Sequence, residues 1–408
     1  MTTAQAMPAV PVRQDALVIA LVGLAHSISH FFHLILAPLF PWIKAEFGLS
    51  YAELGMLMTA FFVVSGIGQA SSGFVVDKLG ARTVLVFGVF CLMLSAIVLS
   101  MANGVWMLAA GAVIAGVGNS VFHPADYSLL NQKVSHPRLA YAFSVHGLTG
   151  NLGWACAPVF LVGIAQIAGW RSALLSAAAL PALVLCLLFA YREVLRTKPA
   201  QKAVQGAKGG GLDFLKLPTV WMCFAFFFLT AMALGGVHSF AATALRELYG
   251  MSLNAATSAY SAFMLASAFG MFAGGVLAAR GGKHDRTIAI AFVGSAVFAL
   301  ILATGAGNGA LALALMAATG FCTGIAGPSR DLMIRAAAPA NATGRVYGIV
   351  YSGLDSGLAI APVLFGVFMD QHMVASLFIG VAIFQVLAIA TAVNVGKNTR
   401  ARQLAAQA

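Results

Sequence analysis

Twelve stretches of this 408-residue chain are continuously apolar and about 20 residues long or longer, the length an α-helix needs to cross a hydrocarbon core of ~30 Å. Their approximate limits are 16–41, 52–74, 82–102, 105–130, 139–166 and 170–191, then 218–245, 256–279, 287–305, 309–329, 346–369 and 374–395. The runs do not alternate in short segments, which excludes a membrane barrel. Composition agrees: 61% of residues are hydrophobic, 9% are charged and the mean hydropathy is +0.92, far from the balance of soluble domains. The fold class expected is an all-α membrane protein with twelve transmembrane helices. The first run is too long for the apolar core of a signal peptide and is expected to stay in the mature protein.

A net charge of +11 first has to be set against topology. If the N-terminus is cytoplasmic, 20 of the 23 lysines and arginines lie inside, leaving Lys44, Arg171 and Arg246 outside. That asymmetry puts both termini in the cytoplasm of a bacterial-type inner membrane. It also accounts for the basic surplus without nucleic acid. All five cysteines (Cys91, Cys156, Cys186, Cys223, Cys322) sit in apolar runs without paired spacing, as small packing residues do.

The longest polar stretch divides the chain at its middle. It contains KPAQKAVQGAKGGG and reads as a flexible linker. The expected organisation is an N-terminal six-helix bundle over 1–191, a cytoplasmic linker over 192–217, a C-terminal six-helix bundle over 218–396 and a cytoplasmic tail over 397–408. A shift of 204 residues aligns Gly66 with Gly270, Arg82 with Arg286, Gly116 with Gly320, Pro124 with Pro328, and Ala157-Pro158 with Ala361-Pro362. Each half has an even number of spans, so the halves form a parallel repeat, an arrangement that places a site at their interface.

The loop after the second span reads GFVVDKLGARTV. Gly73, Asp77, Lys78, Gly80 and Arg82 match the G-x-x-x-D-[RK]-x-G-x-[RK] signature, and through it the whole chain resembles the major facilitator superfamily. In physical terms Gly73 allows close helix approach, Gly80 allows a tight turn, and Asp77 with Lys78 and Arg82 can form a cytoplasmic gate that holds the halves together in one state. The second copy, ARGGKHDRT, is degenerate, with Gly281 in place of Asp77. Within the superfamily, GNSVFHPADYSLL resembles the fourth helix of the fosmidomycin resistance protein group through Phe122, His123, Pro124 and Asp126. The resemblance implies a rocking two-bundle transporter in which helices 1, 4, 7 and 10 line a central cavity. Two departures weaken proton antiport: Ala112 stands where many proton-coupled members carry an arginine, and the antiporter signature survives only as Gly153-x-x-x-Ala157-Pro158.

Ionisable groups inside the membrane cost about 2.5 to 3.5 kcal/mol each on insertion scales, so they mark cavities or partners. At 100° per residue, His26, His30 and His33 lie within about 60° of one another. Asn119, His123 and Asp126 repeat that spacing, and His146, Gly150 and Gly153 repeat it again. The second half adds His238, Arg330, Asp331, Tyr347, Tyr351 and Asp355. His26, His30, His33, Asn119, His123, Asp126, His146, His238, Arg330, Tyr351 and Asp355 are the candidate substrate- and proton-binding residues, the alternative being plain helix packing. Pro124 removes the hydrogen bond to Ser120 and can bend its helix.

The chain carries no Walker-type nucleotide motif, and neither an enzyme activity nor a cofactor is expected. The reading is a secondary transporter, working as a monomer, that moves a small anionic or zwitterionic organic solute with protons as the coupling ion, export being favoured. Two rivals remain open. One is a transition-metal or metal-chelate transporter using His26 and His30, and the other is a membrane receptor or sensor without net flux.

Overall fold

The computed structural model describes residues 11–196, 216–279, 284–337 and 343–407, without the side chains of 70, 74, 77, 136, 140, 279, 331, 334–337, 343–348 and 398–407. The first half contains α1 (Val12–His33), α2 (Phe40–Phe47), α3 (Tyr51–Leu79), α4 (Ala81–Ser100), α5 (Val105–Asn119), α6 (Phe122–Lys133), α7 (Leu139–Ala168) and α8 (Trp170–Ala190). The second contains α9 (Pro218–Tyr249), α10 (Leu253–Ala279), α11 (His284–Ala303), α12 (Gly309–Ala337), α13 (Thr343–Asp370) and α14 (Ser376–Gln407). Among the described residues these make twelve spans long and apolar enough to cross a membrane. The expected all-α, twelve-span architecture is present.

Two spans are broken, and proline accounts for both. Pro38 and Pro41 lack the N–H groups that would carry α1 on into α2. Pro124 leaves the Ser120 carbonyl without its helical donor at the step from α5 to α6, and the Ser72 hydroxyl of α3 donates to it instead at 3.0 Å. The bend anticipated from the sequence is therefore a helix break repaired by a neighbouring side chain. The last helix runs to Gln407, past residue 396, and most of the linker lies outside the described residues.

Small residues set the packing, as expected where lipid tails remove the hydrophobic drive between helices. An added Cβ at Gly116 of α5 would lie 2.5 Å from the Phe61 carbonyl of α3. At Gly320 of α12 it would lie 2.1 Å from the Phe263 carbonyl of α10. The aligned glycines thus make equivalent helix contacts in the two halves, which is the repeat written in three dimensions.

With twelve spans, both chain ends lie on one face, here called the terminal face; the opposite one is the distal face. The bundles meet along α3 with α13 and α7 with α10. Contact begins at the distal face, where Phe40 and Tyr51 each pack on Phe240 with ring centroids 5.8 Å apart. It continues inward through the Thr59 hydroxyl on the Ala359 carbonyl, Ser261 on the Ala155 carbonyl at 2.8 Å and Gln69 on Asp355 at 3.0 Å. At the terminal end of α3, an added Cβ at Gly73 meets nothing within 4 Å. The protein is closed at its distal face.

The closure includes a cap shared between bundles. The first N–H groups of α3 need acceptors, and Ser50 with Glu53 forms a capping box that satisfies part of the turn. The N–H groups of Tyr51 and Ala52 donate instead to the Asp370 carboxylate at the end of α13, at 2.7 and 2.9 Å. Asp370→Ala removes this cap and the anion at the helix N-terminus. It is expected to speed labelling of Ala242→Cys by an impermeant thiol reagent several-fold from the distal side; an unchanged rate would show that the cap does not hold the distal face shut.

Candidate functional site

The histidine stripe of α1 lies against the glycine stripe of α7. A Cβ at Gly150 would sit 2.7 Å from the His30 ring, and one at Gly153 2.2 Å from the Ser27 carbonyl. Those absent side chains let the two backbones touch and leave room for the imidazoles. His26, His30 and His33 are all buried there.

Asp126 of α6 is the centre of the group and is fully buried. Its Oδ2 accepts a hydrogen bond from His146 Nε2 at 3.0 Å. His26 Nδ1 is 3.2 Å from the same oxygen but off the hydrogen-bonding direction, for it has no hydrogen-bond partner among the described residues. The His26 and His146 rings stack 3.5 Å apart at 23°. Asp126 Oδ1 is likewise unpartnered. The carboxyl thus rests against the edges of two stacked imidazoles, with no lysine or arginine in ion-pair contact among the described residues.

Asn119, the last residue of α5 before the break, organises the distal side of the group. Its Oδ1 accepts from His33 Nε2 at 3.0 Å and from the Ser29 hydroxyl, while its Nδ2 donates to Ser65 Oγ at 2.8 Å. These bonds tie α1, α3 and α5 together and fix the His33 ring.

His123 provides the link out of the bundle. Its ring lies 5.4 Å from that of His26, and its Nδ1 donates to Gln69 Oε1 at 2.8 Å. Gln69 Nε2 donates in turn to Asp355 Oδ2 across the bundle interface at 3.0 Å. The close approach is made possible by Gly66, where a Cβ would lie 3.1 Å from the Asp355 side chain. Asp355 is therefore hydrogen-bonded through Gln69 to His123, whose ring neighbours His26 at the edge of the Asp126 group.

The remaining candidates are placed elsewhere. Arg330 has its guanidinium 4.9 Å over the Phe227 ring, and Tyr351 of α13, in the same bundle, packs on that ring at 4.9 Å. Arg330 lines a cavity of about 90 Å³ with Thr230, Thr323 and Gln385 inside the second bundle. His238 of α9 meets Trp154 of α7 across the interface, with ring centroids 4.9 Å apart. Asp331 and Tyr347 have side chains outside those described.

The gate reading needs correction in its geometry. Gly80 has the positive φ of 83° that a tight turn needs, but Gly73 makes no close helix approach here. Arg82 donates to the Arg192 carbonyl at 3.1 Å, inside its own half, and Lys78 is exposed. The Asp77 side chain lies outside those described.

Metal-ligand spacing is met twice: donor atoms of His26, Asp126 and His146, and of His26, His30 and His123, lie within 4.8 Å of one another. The near-parallel stacking of His26 and His146 aims both rings at one carboxylate oxygen instead of converging them on a central ion, so the arrangement suits a shared proton better than a ligand shell. Sequence reasoning missed Gln69, Trp154 and Asp370. Gln69 and Trp154 could have been found as polar or amphipathic groups on the faces opposite the histidines; Asp370 sits at a helix end and gives no such signal.

The model of the Major Facilitator Superfamily matches residues 22–288 and 236–405. The chain is 26% identical over 295 residues to the fosmidomycin resistance protein of Escherichia coli (strain K12), covering 70% of each chain. It is 21% identical over 276 residues to the membrane sensor protein UhpC of the same organism, covering 62% of each. The fold is similar to that of a bacterial homolog of the human lysosomal transporter Spinster, in an inward-facing and occupied conformation, with a TM-score of 0.71 at 16% identity, covering 96% of this chain and 97% of that one.

The site geometry depends on the α1–α7 contact, which a substitution can probe. Gly153→Val drives a side chain into the Ser27 carbonyl and is expected to destabilise by about 1–3 kcal/mol through overpacking. Gly163→Val on the same helix, where an added Cβ meets nothing within 4 Å, is expected to leave the thermal midpoint unchanged. Equal midpoints for the two variants would refute the packing account.

Proposed function

The chain belongs to the Major Facilitator Superfamily, and on that footing we propose that it is a proton-coupled secondary transporter exporting a small anionic or zwitterionic organic solute by alternating access. The observation that carries this reading is Asp126: a fully buried carboxyl held by His146 and His26. In a membrane interior such a group is costly unless it takes part in function or finds a cation. Imidazoles beside it can pass or hold a proton near neutral pH. The path through His123 and Gln69 to Asp355 joins that proton site to the surface along which the bundles rock.

The solute is assigned to the other half. Arg330, Thr230, Thr323 and Gln385 around the 90 Å³ cavity offer a cation and polar groups of the kind that hold a carboxylate or phosphonate. The likeness to a fosmidomycin resistance protein supports export of such a compound. The excess of basic residues on the terminal face supports cytoplasmic termini in an inner membrane, which makes the distally closed structure inward-facing. The ligand spacing of the histidine group keeps a metal-transport reading testable, and the likeness to a membrane sensor protein does the same for binding without flux.

The test uses proteoliposomes and a solute found by thermal-shift screening of small carboxylates, phosphonates and zwitterions, fosmidomycin included. Asp126→Asn is expected to reduce pH-gradient-driven accumulation to the level of empty vesicles while retaining counterflow, which needs no net proton movement. Full accumulation by the variant would remove Asp126 as the carrier. Flux only with a transition metal present would favour the metal reading, and binding with no flux the sensor.

A further inference from the structure

The cavity of about 90 Å³ inside the second bundle is apolar along most of its wall and polar at four side chains: Thr230 of α9, Thr323 and Arg330 of α12, and Gln385 of α14. The hydrogen-bonding role that each can offer a solute follows from the bonds it already makes.

A hydroxyl has one proton to give. Thr230 spends it on its own helix, where its Oγ1 lies 3.0 Å from the carbonyl oxygens of both Phe226 and Phe227. Thr323 spends it on the Thr319 carbonyl at 2.9 Å. What either oxygen can still offer is a lone pair, and that decides the orientation of the Gln385 amide. Toward Thr323 Oγ1, 3.4 Å away, Gln385 has to turn its Nε2 group, because an acceptor there needs a donor. Its Oε1 is left buried without a hydrogen-bond partner among the described residues, on a side chain only 4% exposed.

The three side-chain oxygens of this wall therefore act as acceptors, and the one cation beside them, Arg330, donates only. Packing does not explain the pattern. A buried acceptor left unpaired carries its full desolvation penalty, and a methionine of the same length would fill the space without it. The same bundle satisfies its other polar groups, as Ser295 of α11 shows by reaching the Thr319 carbonyl at 3.2 Å and Thr323 Oγ1 at 3.0 Å. A plain carboxylate or phosphonate would serve Arg330 and leave Gln385 Oε1 bare, since it brings only more acceptors.

We propose that Gln385 is a specificity-determining residue of this cavity and that the solute carries a hydrogen-bond donor, an ammonium or a hydroxyl group, close to its anionic group. The anion lies against Arg330, and the donor meets Gln385 Oε1 with Thr230 Oγ1 as a second acceptor. The proposal rests on the reading that the solute occupies this cavity, and it narrows the class from small anions in general to compact amino and hydroxy acids. Discrimination follows from the geometry. A solute without a donor shuts water away from Oε1 and gives nothing in return, which is how a site built to hydrogen-bond its substrate rejects the analogue that lacks the group. Gln385 sits in the twelfth span, outside helices 1, 4, 7 and 10 that the family resemblance implies as cavity wall, so the selection belongs to this chain's own residues.

The test is calorimetry on purified full-length protein in detergent, with probes that differ in one terminal group. Propionate, glycolate and glycine share a carboxylate and a shape and end in methyl, hydroxyl and ammonium; ethylphosphonate and hydroxymethylphosphonate form the matching phosphonate pair. In whichever series binds, wild-type protein is expected to hold a donor-bearing member about tenfold or more tighter than the methyl one, the size of a buried acceptor regaining its partner. Gln385→Met keeps the length and deletes the acceptor, and is expected to erase the preference while binding the methyl probe at least as well as wild type. Thr230→Val keeps the shape and is expected to narrow the preference in the same direction, so that either variant carries the test if the other fails to fold. Gln132→Met, at an exposed position, is expected to bind as wild type. Equal or tighter binding of the methyl probes by wild-type protein, or a preference that survives both cavity substitutions, refutes the proposal and leaves the transporter reading standing. If no probe binds at all, the assignment of the solute to this cavity fails and the proposal with it. A loss of proton coupling in Asp126→Asn would leave these affinities unchanged.

Discussion

A carboxyl group buried in a membrane must be neutralised, solvated or paired, and the structure of the first bundle is arranged around how Asp126 meets that demand. Two stacked imidazoles serve it, and everything near them exists to hold that arrangement. Glycines at 150 and 153 let α1 and α7 touch. Pro124 breaks the fourth span just before Asp126, and Ser72 takes up the carbonyl that the break frees. Asn119 fixes His33 on the other side. A lysine or arginine in contact would have neutralised the carboxylate permanently; imidazoles leave its charge changeable, which is what a coupling site needs.

Change at Asp126 matters only if the other bundle responds to it. The path from His123 through Gln69 to Asp355 is made of single hydrogen bonds of 2.8 and 3.0 Å, and its last bond spans the surface at which the bundles separate. Moving one bundle breaks that bond, and the Asp370 cap on α3 must break when the distal face opens. The two acidic residues of α13 thus act at different depths of one seam. In the proposed reading the proton site and the anion cavity lie in different halves, so their coupling has to pass through this seam, as alternating access requires.

Much of this was legible in the sequence. The number of spans, the parallel repeat and the superfamily motif followed from apolar run length and glycine spacing, because in a membrane those are the properties that decide architecture. The polar faces that carry His26, then His123 with Asp126, and His146 could be anticipated from helical periodicity, which places groups on a face. Periodicity does not say which faces meet, and so Gln69 and Trp154 were not visible as partners, nor was the separation of Arg330 and Tyr351 from the histidines. The capping role of Asp370 depends on a helix end more than 300 residues away. The gate loop was legible as a motif, but the side chain of Asp77 at its centre lies outside those described.

The account stands or falls on whether solute movement carries protons. The direct measurement is internal pH in proteoliposomes loaded with a pH-sensitive dye, with an imposed pH gradient, on addition of the solute identified by screening. The account predicts that the solute collapses the gradient at a rate proportional to its own flux in wild-type protein, and that Asp126→Asn shows no solute-dependent proton movement. Solute flux through the wild-type protein with the gradient undisturbed would contradict it.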